Sequence, residues 1–166
     1  VLGGLGNFDV VNHSGHHSHG FEVELEGVHS VNVPYTFSYQ RYGSPRMIDT
    51  ATGVKIRWES PYSGGSFTAT TVAYAGGGQF GGSCYMGSAN YDNAGCEHFG
   101  VSLNANPTAQ RYRWLIEDAA NPGTLIPVDV RITAVNPEQE SLLRSQSTPD
   151  RRYSIAYLCD GRKEVS

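Results

Sequence analysis

The sequence predicts an all-β chain: an antiparallel two-sheet β-sandwich of Ig-like or cupredoxin-like kind, with long loops and one disulfide closed within a loop. Three observations predict it. Apolar and polar residues alternate with period two in segment after segment, no stretch sustains a helical period, and Gly- and Pro-rich turns separate the segments. The 166 residues are 39% hydrophobic and 17% charged, with 20 Gly and 10 Tyr, which excludes a disordered chain and fits one domain over 1–166.

The elements follow in order. Residues 7–11 form a short strand candidate. Phe21, Val23 and Leu25 alternate with Glu22, Glu24 and Glu26, the pattern of a strand with one solvated acidic face. Tyr35, Phe37 and Tyr39 alternate with Thr36, Ser38 and Gln40, and Val54, Ile56 and Trp58 with Lys55, Arg57 and Glu59. Phe99, Val101 and Leu103 share one face, leaving His98, Gly100 and Ser102 on the other. Further strands are expected at 66–74, 111–117, 125–133 and 152–158, with a long loop or short helix at 138–144. Turns at Gly43-Ser44-Pro45, 61–65, 104–107 and Asn121-Pro122-Gly123 have a mechanism, since Gly supplies positive φ and Pro presets φ.

Cys84 and Cys96 bracket a polar loop that cannot order itself by burying apolar surface. A disulfide there restricts the unfolded loop by about 3 kcal/mol and implies an oxidising compartment: secreted, cell-surface or periplasmic. The alternatives are two buried thiols or a metal pair, and the spacing is wider than that of a zinc knuckle. Cys159 is left over, as a buried thiol or a link to something outside the chain.

Several function classes fall away. The net charge of −4 offers no basic field, so nucleic acid is not an expected partner. No apolar run reaches the roughly 18 residues of a membrane span, and the chain opens at Val1-Leu2-Gly3 without a charged leader. There is no G-x-S-x-G elbow and no convincing Cys–His pair, so an enzyme is not expected, and the Asp92-Asn93 region lacks the ordered ligands of an EF-hand, leaving calcium only an open alternative.

The six histidines become the candidates for chemistry. His13, His16, His17 and His19 crowd the segment 12–20, where an extended backbone would put His17 and His19 on one face. The competing reading is a solvated polar hairpin. His98 stands apart, directed away from Phe99 and Val101 by strand parity and following Cys96 by two residues. A disulfide at that end would give it the rigidity that a ligand needs. A blue-copper site would need a nearby Met and a free Cys, and a histidine brace would need His at residue 1, where Val stands.

The strings Gly20-Phe21-Glu22-Val23-Glu24-Leu25-Glu26-Gly27-Val28-His29, Tyr35-Thr36-Phe37-Ser38-Tyr39-Gln40-Arg41-Tyr42-Gly43 and Gly95-Cys96-Glu97-His98-Phe99-Gly100 carry a resemblance. Over about 7–132 the chain resembles the copper-repressible, surface-associated copper-binding proteins of methane-oxidising bacteria (the MopE/CorA type) and related secreted bacterial proteins. The resemblance implies a secreted or outer-surface β-rich protein that binds one copper through two His and an oxidised Trp. The family's Trp-x-His falls on Tyr39-Gln40-Arg41, so its Trp is Tyr and its first His is Arg; His98 matches the second. Arg does not deprotonate to coordinate a metal, so the family site should be absent here or rebuilt from His13 to His19.

The expected function is therefore a secreted or cell-surface protein that scavenges or stores a metal ion, most simply copper, on His98, His17 and His19, and is not an enzyme. Neutral imidazoles would coordinate, so binding should fail below about pH 6. The rival is a non-catalytic surface structural or adhesion module with other cell-surface proteins as partners. A third reading is a carbohydrate-binding module using exposed Tyr or Trp faces.

Overall fold

The computed structural model describes residues 1–75 and 84–130. Among these residues eleven strands run in chain order: β1 (Leu2–Gly4), β2 (Asn7–Val11), β3 (Gly20–Glu26), β4 (Tyr35–Ser38), β5 (Arg46–Asp49), β6 (Gly53–Glu59), β7 (Tyr62–Ser63), β8 (Ser66–Phe67), β9 (Cys96–Ser102), β10 (Ala109–Glu117) and β11 (Leu125–Asp129). They form a four-stranded sheet in the order β1-β2-β9-β4, a five-stranded sheet in the order β11-β10-β3-β6-β5, and a small β7-β8 ribbon. Every strand pair is antiparallel, as the alternation predicts.

The inner faces of the two main sheets meet in one core. Register puts Trp114, Phe21 and Trp58 side by side on the larger sheet, with Tyr112, Val23 and Ile56 in the next row. The smaller sheet contributes Phe8, Val10, Phe99 and Val101. Phe21 stacks on Phe99 at 4.6 Å between ring centroids, and Trp58 lies 4.7 Å from the same ring. Burial of each such side chain stabilises by roughly 1.5–3 kcal/mol, so the interlocked rows hold the layers together.

On the outer face of the larger sheet the expected solvated acids are not all solvated. Glu22 is 2% exposed, because its neighbours on β6 and β10 cover it: Arg57 lies 3.1 Å away and Arg113 2.8 Å away. Glu24 repeats the arrangement with Lys55 at 3.7 Å and Arg113 at 3.2 Å, and Asp129 of β11 meets Arg113 at 3.3 Å. The alternation was that of a one-sided strand, but its polar side is a cross-strand ion-pair ladder.

Cys84 and Cys96 form a disulfide, with Cα atoms 5.3 Å apart. It packs with Val11 against half-buried Tyr74 and Ala94. Of the expected strand at 66–74, only Ser66–Phe67 pairs as a strand, and Thr71 makes an isolated bridge to Ser18. The reason is local: the Ala69 amide goes to Ser60 Oγ and the Thr68 amide to the Pro61 carbonyl, so no single ladder can form. The last described strand ends at Asp129, and Pro127 within it is tolerated because β11 is an edge strand. The expected elements at 138–144 and 152–158, residues 131–133, the glycine-rich run 76–82 and Cys159 lie outside the described residues.

Candidate functional site

The outer face of the smaller sheet is filled very differently. Register places His98 opposite Asp9, Phe37 opposite Gly100 and Tyr35 opposite Ser102, all pointing away from the core. The aromatic side of β4 is therefore its outer side: Tyr35 is 61% exposed and Phe37 39%. Gly100 is required by close approach, since a Cβ there would sit 2.4 Å from the Gly6 carbonyl oxygen.

Tyr39 is the hub of this face. Its ring lies 5.6 Å from Phe37, 5.6 Å from the His98 imidazole, 6.0 Å from Tyr91 and 6.1 Å from Tyr85. Tyr85 is 59% exposed, and it follows Cys84 directly, so the disulfide delivers it to the cluster. Burial, and then the Asp9 carboxylate, hold the Tyr39 hydroxyl above the ordinary phenol range, so it stays a neutral donor.

His98 is oriented by Asp9, whose Oδ1 lies 2.6 Å from Nδ1. A carboxylate only accepts, so Nδ1 carries the proton and Nε2 is the nitrogen left to meet a ligand. Asp9 was not singled out from sequence, although it is the acid between buried Phe8 and Val10 and shares the outward parity of His98.

Behind this face lies a buried polar node. Glu97, 2% exposed and on the inner side of β9, accepts from the Arg41 Nε, from Thr71 Oγ1 at 3.1 Å and from the Tyr91 hydroxyl at 2.7 Å. Burial pushes the Glu97 carboxyl up, against the opposing pull of Arg41. The remaining Arg41 donors go to the Thr70 carbonyl at 3.1 Å, the Tyr91 carbonyl at 3.3 Å and the exposed Asp92 carboxylate at 3.4 Å, and its guanidinium covers the Tyr91 ring at 4.2 Å. Arg41 stands where the resemblance would put a histidine ligand, and it is committed to fixing Tyr91 and the chain around Tyr39.

The other histidines are each held by a different partner, His29 by the Thr50 carbonyl at 3.1 Å from its Nε2. His13 meets Tyr74 edge-on, His16 Nδ1 lies 3.2 Å from the Ser14 carbonyl, and His17 Nδ1 accepts from the Ala73 amide at 3.1 Å. His19 stacks on Phe67 at 4.7 Å, with Nδ1 3.1 Å from Thr70 Oγ1. The buried Asn12 side chain pins their loop by donating to the His16 and Thr71 carbonyls. Among the described residues, no three His, Cys, Asp or Glu side chains gather in a group that could hold a metal ion.

A cleft of about 490 Å³ adjoins the aromatic face along β4, bounded on its far side by residues 43–45. That volume falls in the range of small-ligand sites, roughly 300–1,000 Å³. Comparison with protein-family models, curated proteins and solved structures finds no match.

Proposed function

We propose that the chain is a non-catalytic recognition module displayed outside the cytoplasm, and that it binds carbohydrate across the outer face of its smaller sheet. The observation that carries this is the gathering of Tyr35, Phe37, Tyr39 and Tyr85 on one exposed face around a carboxylate-oriented His98. A contiguous exposed aromatic patch marks an interaction surface. Sugar rings offer apolar C–H faces to such rings and hydroxyls to the polar groups beside them, here Asp9, His98 and the Tyr39 hydroxyl. The nearest carboxylates are engaged, Asp9 with an imidazole and Glu97 with a guanidinium, which favours binding over hydrolysis. The disulfide supports a secreted, cell-surface or periplasmic setting.

The test is a glycan array followed by calorimetry on the hits, with Phe37→Ser and Tyr85→Ser as variants. Each should weaken binding at least about tenfold, as loss of a central aromatic contact does. A folded protein that retains no glycan overturns the proposal.

A second reading keeps copper at His98. Two observations favour it: metal-ligating imidazoles characteristically give their other N–H to a carboxylate, as Asp9 provides, and Tyr39 lies beside His98, joining two positions that the resemblance marks. Titration of Cu(II) followed by electron paramagnetic resonance should show an imidazole-ligated ion that disappears in His98→Ala. Copper binding unchanged by that substitution removes this reading.

A further inference from the structure

We infer, on the basis of the carbohydrate reading above, that the cleft along β4 is the subsite for the acetamido group of an N-acetylated amino sugar. The cleft and the aromatic face share Tyr35 and Phe37, so a sugar stacked on those rings projects its substituents into the cleft. Pro45 adds a third apolar surface, and Ser38, Gln40 and Ser44 supply polar ones. Gln40 and Ser44 make no side-chain hydrogen bond among the described residues, so both are available to a ligand.

Charge narrows the ligand. Among the described residues, no ionic side chain lines the cleft. The two cations flanking it in sequence are committed, Arg41 to Glu97 and Arg46 to Glu59 at 2.6 Å. Among the described residues, a carboxylate or phosphate meets no unpaired cation there, and an ammonium meets no carboxylate. The ligand group is therefore neutral.

The backbone supplies the remaining complementarity. Among the described residues β4 pairs only with β9, so its other edge offers unpaired N–H and C=O groups to the cleft. A strand edge binds amides, and an acetamido group is one: an N–H, a C=O and a methyl for the Phe37 and Pro45 surfaces. An extended peptide would use the same edge, but β4 has only four residues and the cleft shares Tyr35 and Phe37 with the aromatic face, which favours a ring-bearing ligand.

Calorimetry with three β-1,4-linked tetrasaccharides, of N-acetylglucosamine, glucosamine and glucose, tests this. The acetylated chain should bind about tenfold tighter than either other, the worth of one hydrogen bond plus a buried methyl. Gln40→Ala should shrink that preference to under about threefold. Equal binding of acetylated and glucose chains, or tighter binding of the glucosamine chain, overturns the inference while sparing the aromatic-face proposal. Competition by an extended hexapeptide as effective as the acetylated sugar also overturns it. No binding of any saccharide to protein with an intact thermal transition overturns both.

Discussion

The outer faces of the two main sheets arise from the same period-two alternation and end in opposite chemistry. On the larger sheet, Glu22 and Glu24 of β3 are flanked by Lys55 and Arg57 of β6 and by Arg111 and Arg113 of β10. Each charge finds its complement across a strand, and Glu22 disappears from solvent without any apolar cover. On the smaller sheet, Tyr35 and Phe37 face outward with none of the described strands or loops drawn over them, and the hydrogen-bonded pair of Asp9 and His98 sits among rings. A face whose polar groups satisfy one another has little left to offer a ligand. A face with uncovered aromatic area and a poised imidazole nitrogen has a great deal.

That contrast can be broken by measurement, and the largest effect is expected on the charged side. Glu22→Ala leaves Arg57 and Arg113 half-buried without their shared partner, and should cost roughly 2 kcal/mol in urea unfolding, less than a fully buried pair because both guanidiniums keep some water. Phe37→Ser on the other face should stay within about 0.5 kcal/mol while abolishing most saccharide affinity. If Phe37→Ser destabilises as much as Glu22→Ala, the aromatic face is architecture and not a binding surface.

A smaller effect belongs to the rim of the larger sheet. Asp49 ends β5 and accepts hydrogen bonds from the Ser30 hydroxyl and the Ser30 amide, which hold its carboxyl below the usual range. A depressed carboxylate contributes stability above its unfolded pKa of about 3.9, and loses it as pH falls through the folded value. Urea midpoints measured from about pH 5 down to about pH 2 should therefore decline, and Asp49→Asn should flatten part of that decline. An identical acid limb in the variant would show that Ser30 does not discriminate between the two states of the carboxyl.

Much of the fold is written locally. The alternation in β3, β6 and β10, the tryptophans as packing residues, the cross-link and the outward parity of His98 all depend on neighbours within a few residues. What lies beyond reach depends on strand order. Glu22 looks solvated until β6 and β10 are known to flank it, and Arg41 looks like a defective ligand position until Glu97, 56 residues away, is seen to hold it. The histidine-rich segment shows the converse dependence. His13, His16, His17 and His19 are close in sequence, but residues 67–74 take the rings of His13, His17 and His19 one at a time, and His16 turns back on the Ser14 carbonyl.

Three consecutive residues of β9 do unrelated work on alternating sides: Cys96 outward in the disulfide, Glu97 inward to Arg41, His98 outward to Asp9. Because a strand has period two, a slip of one residue against β2 would exchange all three environments at once. It would turn the thiol inward and leave Glu97 exposed and Arg41 stranded. The register that lets Cys96 meet Cys84 is thus the same one that sends Glu97 to Arg41 and His98 to Asp9, so one alignment of β9 on β2 settles all three.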